Sequence, residues 1–152
     1  MKGWLERNAA ALGAFGALLA GVVAVLGLGG IWWQIRAAEQ AQALQTARGA
    51  YLAQQALAVA NPAFAQPGAV CALLASDRGN AYEAFVAHLL FTAEQVLAVE
   101  AGWEATMLAE MEAHADYLCR HGGQINGTDR LTDLIGAFTD AHCTAPPAPC
   151  AP

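Results

Sequence analysis

The side chains in this sequence that could bind or transform something are few, and they gather near the C-terminus. His114, Cys119 and His121 fall within one eight-residue stretch, and His142, Cys143 and Cys150 follow. Imidazole nitrogen and thiolate sulfur are the ligands that zinc and copper prefer, so the first chemistry to weigh is metal binding. The spacing argues against it. Cys119 and His121 are separated by one residue and there is no Cys-x-x-Cys pair, so no standard zinc module is spelled out, and the Cys-x-x-Cys-His of covalent haem attachment is missing too. Neither a metal nor another cofactor is expected.

The four cysteines, Cys71, Cys119, Cys143 and Cys150, suit disulfides in an oxidising compartment. Three complete pairings exist, with Cys119 joined to Cys143 or Cys150 as one natural choice, and spacing does not select among them. In a reducing compartment the same residues would be free thiols.

Carboxylates offer acid–base work when two sit close together in different environments. Glu100 and Glu104 are four residues apart, Glu110 and His114 also four, and Glu83 and His88 five. None of these is the Glu-x-x-His of di-metal bundles, and a solvated acidic helix face accounts for Glu104, Glu110, Glu112 and Asp116. Ser76, the only serine, stands in a turn with no glycine-flanked elbow, and no phosphate-cradling glycine loop occurs. The sequence therefore reads as non-enzymatic.

The element that must position everything else is the segment Ala9 to Trp33, which carries no charged residue. A membrane-spanning helix needs about 20 apolar residues at about 1.5 Å rise each. This run exceeds that length and ends in Trp32 and Trp33, as an interfacial aromatic belt would, with Trp4 on the other side. A cleaved secretory signal is the competing reading, but its apolar core is usually about 7 to 15 residues. Within the span Gly13, Ala17 and Gly21 form one row of small residues at every fourth position, and Gly16, Ala20 and Ala24 form another. Such rows let helices approach closely in lipid, so an integral membrane partner or a homo-oligomer is expected, with lipid around it.

After Trp33 the chain changes character: twelve Asp and Glu face five Arg and no Lys. That balance excludes the phosphate neutralisation on which nucleic-acid binding depends. Lys2 and Arg7 precede the span, while Arg36 alone flanks its far end closely, so positive-inside counting favours a cytoplasmic N-terminus and an exported C-terminal domain. The opposite orientation stays open.

The predicted organisation is all-α: a polar lead over 1–8 with Asn8 as a cap, a transmembrane helix over 9–33, a helical soluble domain over 34–143, and a tail over 144–152 carrying Pro146, Pro147 and Pro149. Residues 34–60 are read as a stalk helix whose stripe of Ala37, Leu44, Tyr51 and Ala58, with Ala47 and Leu52 beside it, faces a bundle. Asn61-Pro62 stops it. A short helix is expected over 67–75 and a long amphipathic one over 81–100, with a Thr92/Gln95 capping pattern that does not break its apolar phase. A single helical face follows from Trp103 through Met107, Met111 and Leu118 to Gly122, and then a last helix capped by Thr128 with Leu131, Leu134, Ile135 and Phe138 inward. Tyr82, Phe85, Trp103, Met107 and Tyr117 are candidates either for the core or for lining a small-ligand cavity.

The stretch Trp33 to Arg120 resembles a loose group of uncharacterised bacterial proteins with one N-terminal membrane helix and a small helical domain. The residues that carry the likeness are Ile35 with the Gln-rich run to Arg48 and Tyr51, then Asn61-Pro62, Tyr82 to Leu90, and Trp103 through Tyr117, Leu118 and Cys119. The likeness implies residence in a bacterial inner membrane and no established catalytic residues. It also implies that a cytoplasmic helical domain is one of the arrangements such proteins adopt. The leading expectation is a non-catalytic accessory or scaffold subunit of a membrane assembly. A membrane-tethered sensor or ligand-binding module is the alternative, followed by a Cys/His metal-handling protein.

Overall fold

A computed structural model of the protein describes residues 2–125, 127–144 and 150, with the side chains of 2–12 and 101 not described. The helix containing the apolar run already begins at Lys2, so Asn8 lies inside it and does not cap its first turn, a correction to the expected cap. The interfacial role of Trp4 and the prolines Pro146, Pro147 and Pro149 lie outside these described residues and side chains. The fold is all-α, with seven α-helices and no strand among the described residues. They are α1 (Lys2–Ala60), α2 (Pro62–Ala65), α3 (Val70–Leu74), α4 (Gly79–Val99), α5 (Glu104–Glu112), α6 (Ala115–His121) and α7 (Asp129–His142). The chain divides into two units, Met1–Gln42 and Ala43–Pro152.

The first unit consists of the N-terminal part of α1. One helix of the protein is long and apolar enough to cross a membrane, and it is this one. Residues 13–42 are exposed throughout, including Leu18 at 70% and Trp33 at 71%. At the polar end of the apolar run the Arg36 guanidinium lies 4.9 Å from the Trp32 ring centroid, a cation–π contact.

The second unit has a conventional hydrophobic core. α1 ends where Asn61 leaves helical geometry (φ −131°, ψ 65°), because the residue before a proline is pushed out of the α region. Asn61 covers the end by donating from Nδ2 to the Leu57 carbonyl at 3.1 Å. Pro62 opens α2 at a position where its missing N–H costs nothing, and Phe64 plugs the core. α3 is shorter than the expected 67–75 helix. α4 begins directly beyond it at Gly79, where only glycine fits: a Cβ there would strike the Leu74 carbonyl oxygen.

The spine of the unit is α4, unbroken as expected across Thr92, with Tyr82, Phe85, Val86, Leu89, Leu90, Ala93, Val96 and Leu97 all buried. α7 lays Leu131, Leu134, Ile135 and Phe138 against the same core. Thr128 occupies the N-cap position as predicted, yet its side chain makes no cap bond. Its own N–H instead donates to Glu94 Oε1 at 3.0 Å.

Two expectations are corrected. The single helix read from Trp103 to Gly122 is two, α5 and α6, preceded by a short 3-10 turn at Ala101–Trp103. The break at Ala113–His114 brings His114 out of helical geometry (φ −108°, ψ 14°) and buries its ring. On the stalk, Leu52, read beside the stripe, is 67% exposed and Ala37, read as part of it, is exposed as well, while Gln54, absent from the stripe, is 2% exposed.

Candidate functional site

The cysteines form two disulfides. Cys71 at the start of α3 joins Cys150, with Cα atoms 5.2 Å apart, and Cys119 in α6 joins Cys143 at the end of α7, at 5.5 Å. The second links α6 to the end of α7, and the first ties Cys150 to α3. No free cysteine remains among the described residues. With the sulfurs paired, His114, His121 and His142 lack the thiolate neighbours that the metal reading requires, and the described residues contain no cluster of three or more metal-ligating side chains. The three histidines sit against aromatic rings: His114 with Tyr82 and Phe85, His121 with Tyr117 at 4.7 Å, and His142 stacked on Phe138 at 4.5 Å.

Of the five candidate ligand-contacting residues, Tyr82, Phe85 and Met107 are core, Tyr117 half-buried and Trp103 half-buried. Tyr82, Phe85 and Tyr117 share a cluster with Phe64 and His114, with ring centroids about 6 Å apart, the distance range of favourable edge-to-face and tilted aromatic packing. The ring partner of Trp103 is Tyr51, at 5.0 Å. At the centre of the cluster the Tyr82 hydroxyl lies 3.0 Å from His114 Nδ1. Burial pushes His114 down to about 4, so the ring that shares this hydrogen bond with the hydroxyl is neutral at ordinary pH. Burial likewise raises Tyr82, with the nearby Tyr117 and Asp116 adding to the effect.

A second set of polar contacts holds the C-terminal part of α1 to the bundle. Gln54 Oε1 accepts from His88 Nδ1 at 2.7 Å. Glu110 Oε1 receives Gln55 Nε2 at 2.8 Å and the Tyr51 hydroxyl at 3.3 Å. Burial, followed by the Glu110 charge, raises Tyr51. Ala47 is buried beside these groups' helix face, so α1 is seated by small and amide side chains rather than by a row of leucines. Of the expected stripe, Leu44, Tyr51 and Ala58 are half-buried, with Ala47 buried beside them, whereas Ala37 is exposed. The polar member of the seated face, Gln54, falls in the same three-and-four register but, as an amide, gave no apolar signal to reveal it.

Among the described residues of the second unit, two surface grooves stand out. One of about 310 Å³ is lined by Leu97, Glu104, Arg130, Asp133 and Leu134, where Arg130 donates to the Leu97 carbonyl. The other, about 280 Å³, is bordered by Leu90, Phe91, Glu94, Tyr117 and Leu131. Neither brings together a nucleophile and a base. Glu100 takes a hydrogen bond from Trp103 Nε1 at 3.3 Å, and Ser76 donates to the Leu73 carbonyl at 2.6 Å in its turn.

In the membrane-length segment, Gly13, Gly16, Ala17, Ala20, Gly21 and Ala24 are all exposed, and a Cβ added at Gly13, Gly16 or Gly21 would meet nothing within 4 Å. The chain matches no protein-family model, no curated protein and no solved structure.

Proposed function

We propose that this chain is a single-pass membrane protein whose helical domain acts as a non-catalytic accessory or scaffold subunit of a larger membrane assembly. The observation that carries this reading is the exposed, uncharged helical stretch over 13–33, apolar on every side and rich in small residues. A helix apolar all round belongs in lipid or inside a larger protein, and in lipid small residues favour close helix–helix contact. The resemblance to bacterial single-pass proteins agrees with this architecture. Two disulfides favour an exported, periplasmic domain, because such bonds persist in oxidising compartments, and the charges at Lys2 and Arg7 favour the same orientation.

The dense packing of Tyr82, Phe85 and Met107 supports a scaffold over a module that encloses a ligand, since a drug-sized ligand needs a cavity of about 300 Å³ or more among such side chains. Extraction of native membranes with mild detergent tests the proposal. A stoichiometric integral membrane partner copurifying with the chain is the expected result. A chain recovered alone from native lipid, unaffected in its behaviour by Gly13→Leu or Gly21→Leu, would overturn it.

A further inference from the structure

The groove of about 310 Å³ in the second unit is built by three helices, with Leu97 from α4, Glu104 from α5, and Arg130, Asp133 and Leu134 from α7. Its floor is aliphatic and fixed, since Leu97 and Leu134 are both buried in the core. Its rim is charged, because Glu104, Arg130 and Asp133 are all exposed. Clefts between the helices of a bundle, apolar at the base with a few polar groups around it, are where small molecules bind.

The position of Arg130 follows from the way α4 ends. Glu100 adopts extended geometry (φ −148°, ψ 117°), so the helix stops at Val99 and its last carbonyls lose intrahelical partners. Arg130 Nη1 donates to one of these, the carbonyl of Leu97. A guanidinium carries five N–H donors in a planar fork, so this bond orients the group and leaves other donors for a carboxylate, which the fork suits. The neighbouring acids do not take that place. Asp133 stands about one turn from Arg130 on α7, yet among the described residues no ion pair joins Arg130 to Asp133 or to Glu104, whereas Arg120 and Asp116 on α6 meet at 2.8 Å. Both signs of charge therefore border one small aliphatic floor without neutralising each other.

A ligand with only a carboxylate would satisfy Arg130 and be repelled by two acids, and one with only an amine would leave the guanidinium unanswered. A molecule that carries both ends on an aliphatic body meets every group. Size narrows it further, because ligand pockets begin at about 300 Å³ and this groove stands at that lower limit. We infer that the groove binds a small aliphatic α-amino acid, its carboxylate on Arg130, its ammonium on Glu104 and Asp133, and its side chain over Leu97 and Leu134. The site lies apart from the aromatic core around Tyr82 and wholly within the second unit. It goes beyond the accessory-subunit reading and does not rest on it. Charge contacts at an exposed rim are individually weak, so a dissociation constant of about 1 mM is expected, suited to following a ligand's concentration.

Titration of the purified full chain in detergent, followed by ligand-observed NMR, tests the site with three probes. Leucine carries both charges, leucine amide only the amine, and isocaproate only the carboxylate. Leucine is expected to bind saturably, and each analogue about fivefold more weakly or worse. Arg130→Gln and Asp133→Asn should each weaken leucine by a similar factor, while Asp140→Asn, an exposed acid of α7 outside the groove, should leave it unchanged. No saturable leucine binding up to about 10 mM, ten times the expected constant, would overturn the inference. So would leucine amide binding as well as leucine, the behaviour of an acidic surface that merely collects cations, or isocaproate doing so. The probe series uses the unaltered chain, so it decides the matter even where Arg130→Gln loosens the end of α4. A chain that fails to bind leucine yet copurifies with a membrane partner contradicts the groove alone.

Discussion

Phe15 and Phe138 are the same residue in two surroundings. Phe15, in the first unit, is 67% exposed within the chain, and Phe138, in the second, is fully buried. Around Phe15 every helical face is apolar, and around Phe138 only one is, with Asp133, Asp140 and other polar residues on the rest of α7. The contrast teaches that hydrophobic content alone does not define a core. In the second unit apolar side chains leave water by meeting each other, while those of the first meet no such partners among the described residues, the pattern of a helix that lies in lipid or inside a larger protein.

The largest expected effect bears on what besides packing holds the second unit together. Closing chain segments of 79 and 24 residues, the Cys71–Cys150 and Cys119–Cys143 bonds stabilise by about 4.5 and about 3.5 kcal/mol in the loop-entropy account. Chemical denaturation of Cys71→Ser/Cys150→Ser protein should reveal a deficit of that order, and an unchanged midpoint would show the tail tie to be idle. Next comes the phenylalanine pair itself. Phe138→Ala should cost about 3–5 kcal/mol through lost burial and the cavity left behind, whereas Phe15→Ala should leave the same unfolding transition in place. Equal effects would erase the distinction between the regions.

A charge reverses that ordering. Val22→Asp places a carboxylate in the middle of the apolar run, where insertion is opposed by about 3 kcal/mol. Membrane integration, read by the fraction of chain resisting alkaline extraction, should fall, while the thermal transition of the helical domain stays put.

Acid should act only on the second unit. His114 is held down to about 4 by burial, below its unfolded value of 6.5. Between those values the unfolded chain binds the extra proton, so stability is fully present above about pH 6.5 and falls as pH drops towards 4. The expected loss is roughly 2–3 kcal/mol, read as a declining denaturation midpoint. His114→Leu should flatten that slope, although it orphans the Tyr82 hydroxyl and lowers stability at neutral pH. The smallest effect is expected at the seated face of α1, where Gln54→Ala removes one hydrogen bond to His88 and should cost about 1 kcal/mol.

The two regions were unequally legible in the sequence. The first is announced by the missing charges of 9–33 and the tryptophans that close it, a signal of composition that needs no tertiary information. In the second, α4 and α7 could be read from three-and-four spacing because each buries one continuous face. The division of α5 from α6 could not: the apolar phase runs through Ala113 and His114, where the chain leaves helical geometry and the buried His114 ring meets Tyr82, thirty-two residues earlier. Gln54 was hidden for the same reason, since an amide enters a core only where a distant partner such as His88 satisfies it. Leu52 follows Tyr51 directly, so it lies about 100° round α1 from that residue and stays exposed. The cysteine pairing was likewise a matter of which helix ends meet, a question that residue order alone leaves with three answers.

The account as a whole depends on residues 9–33 residing in a bilayer, and alkaline carbonate extraction of native membranes followed by intact-mass analysis addresses that most directly. The predicted result is a chain retained in the membrane pellet, still carrying those residues and released only by detergent. Full-length protein in the wash, or a soluble mature form beginning after Trp33, would contradict it.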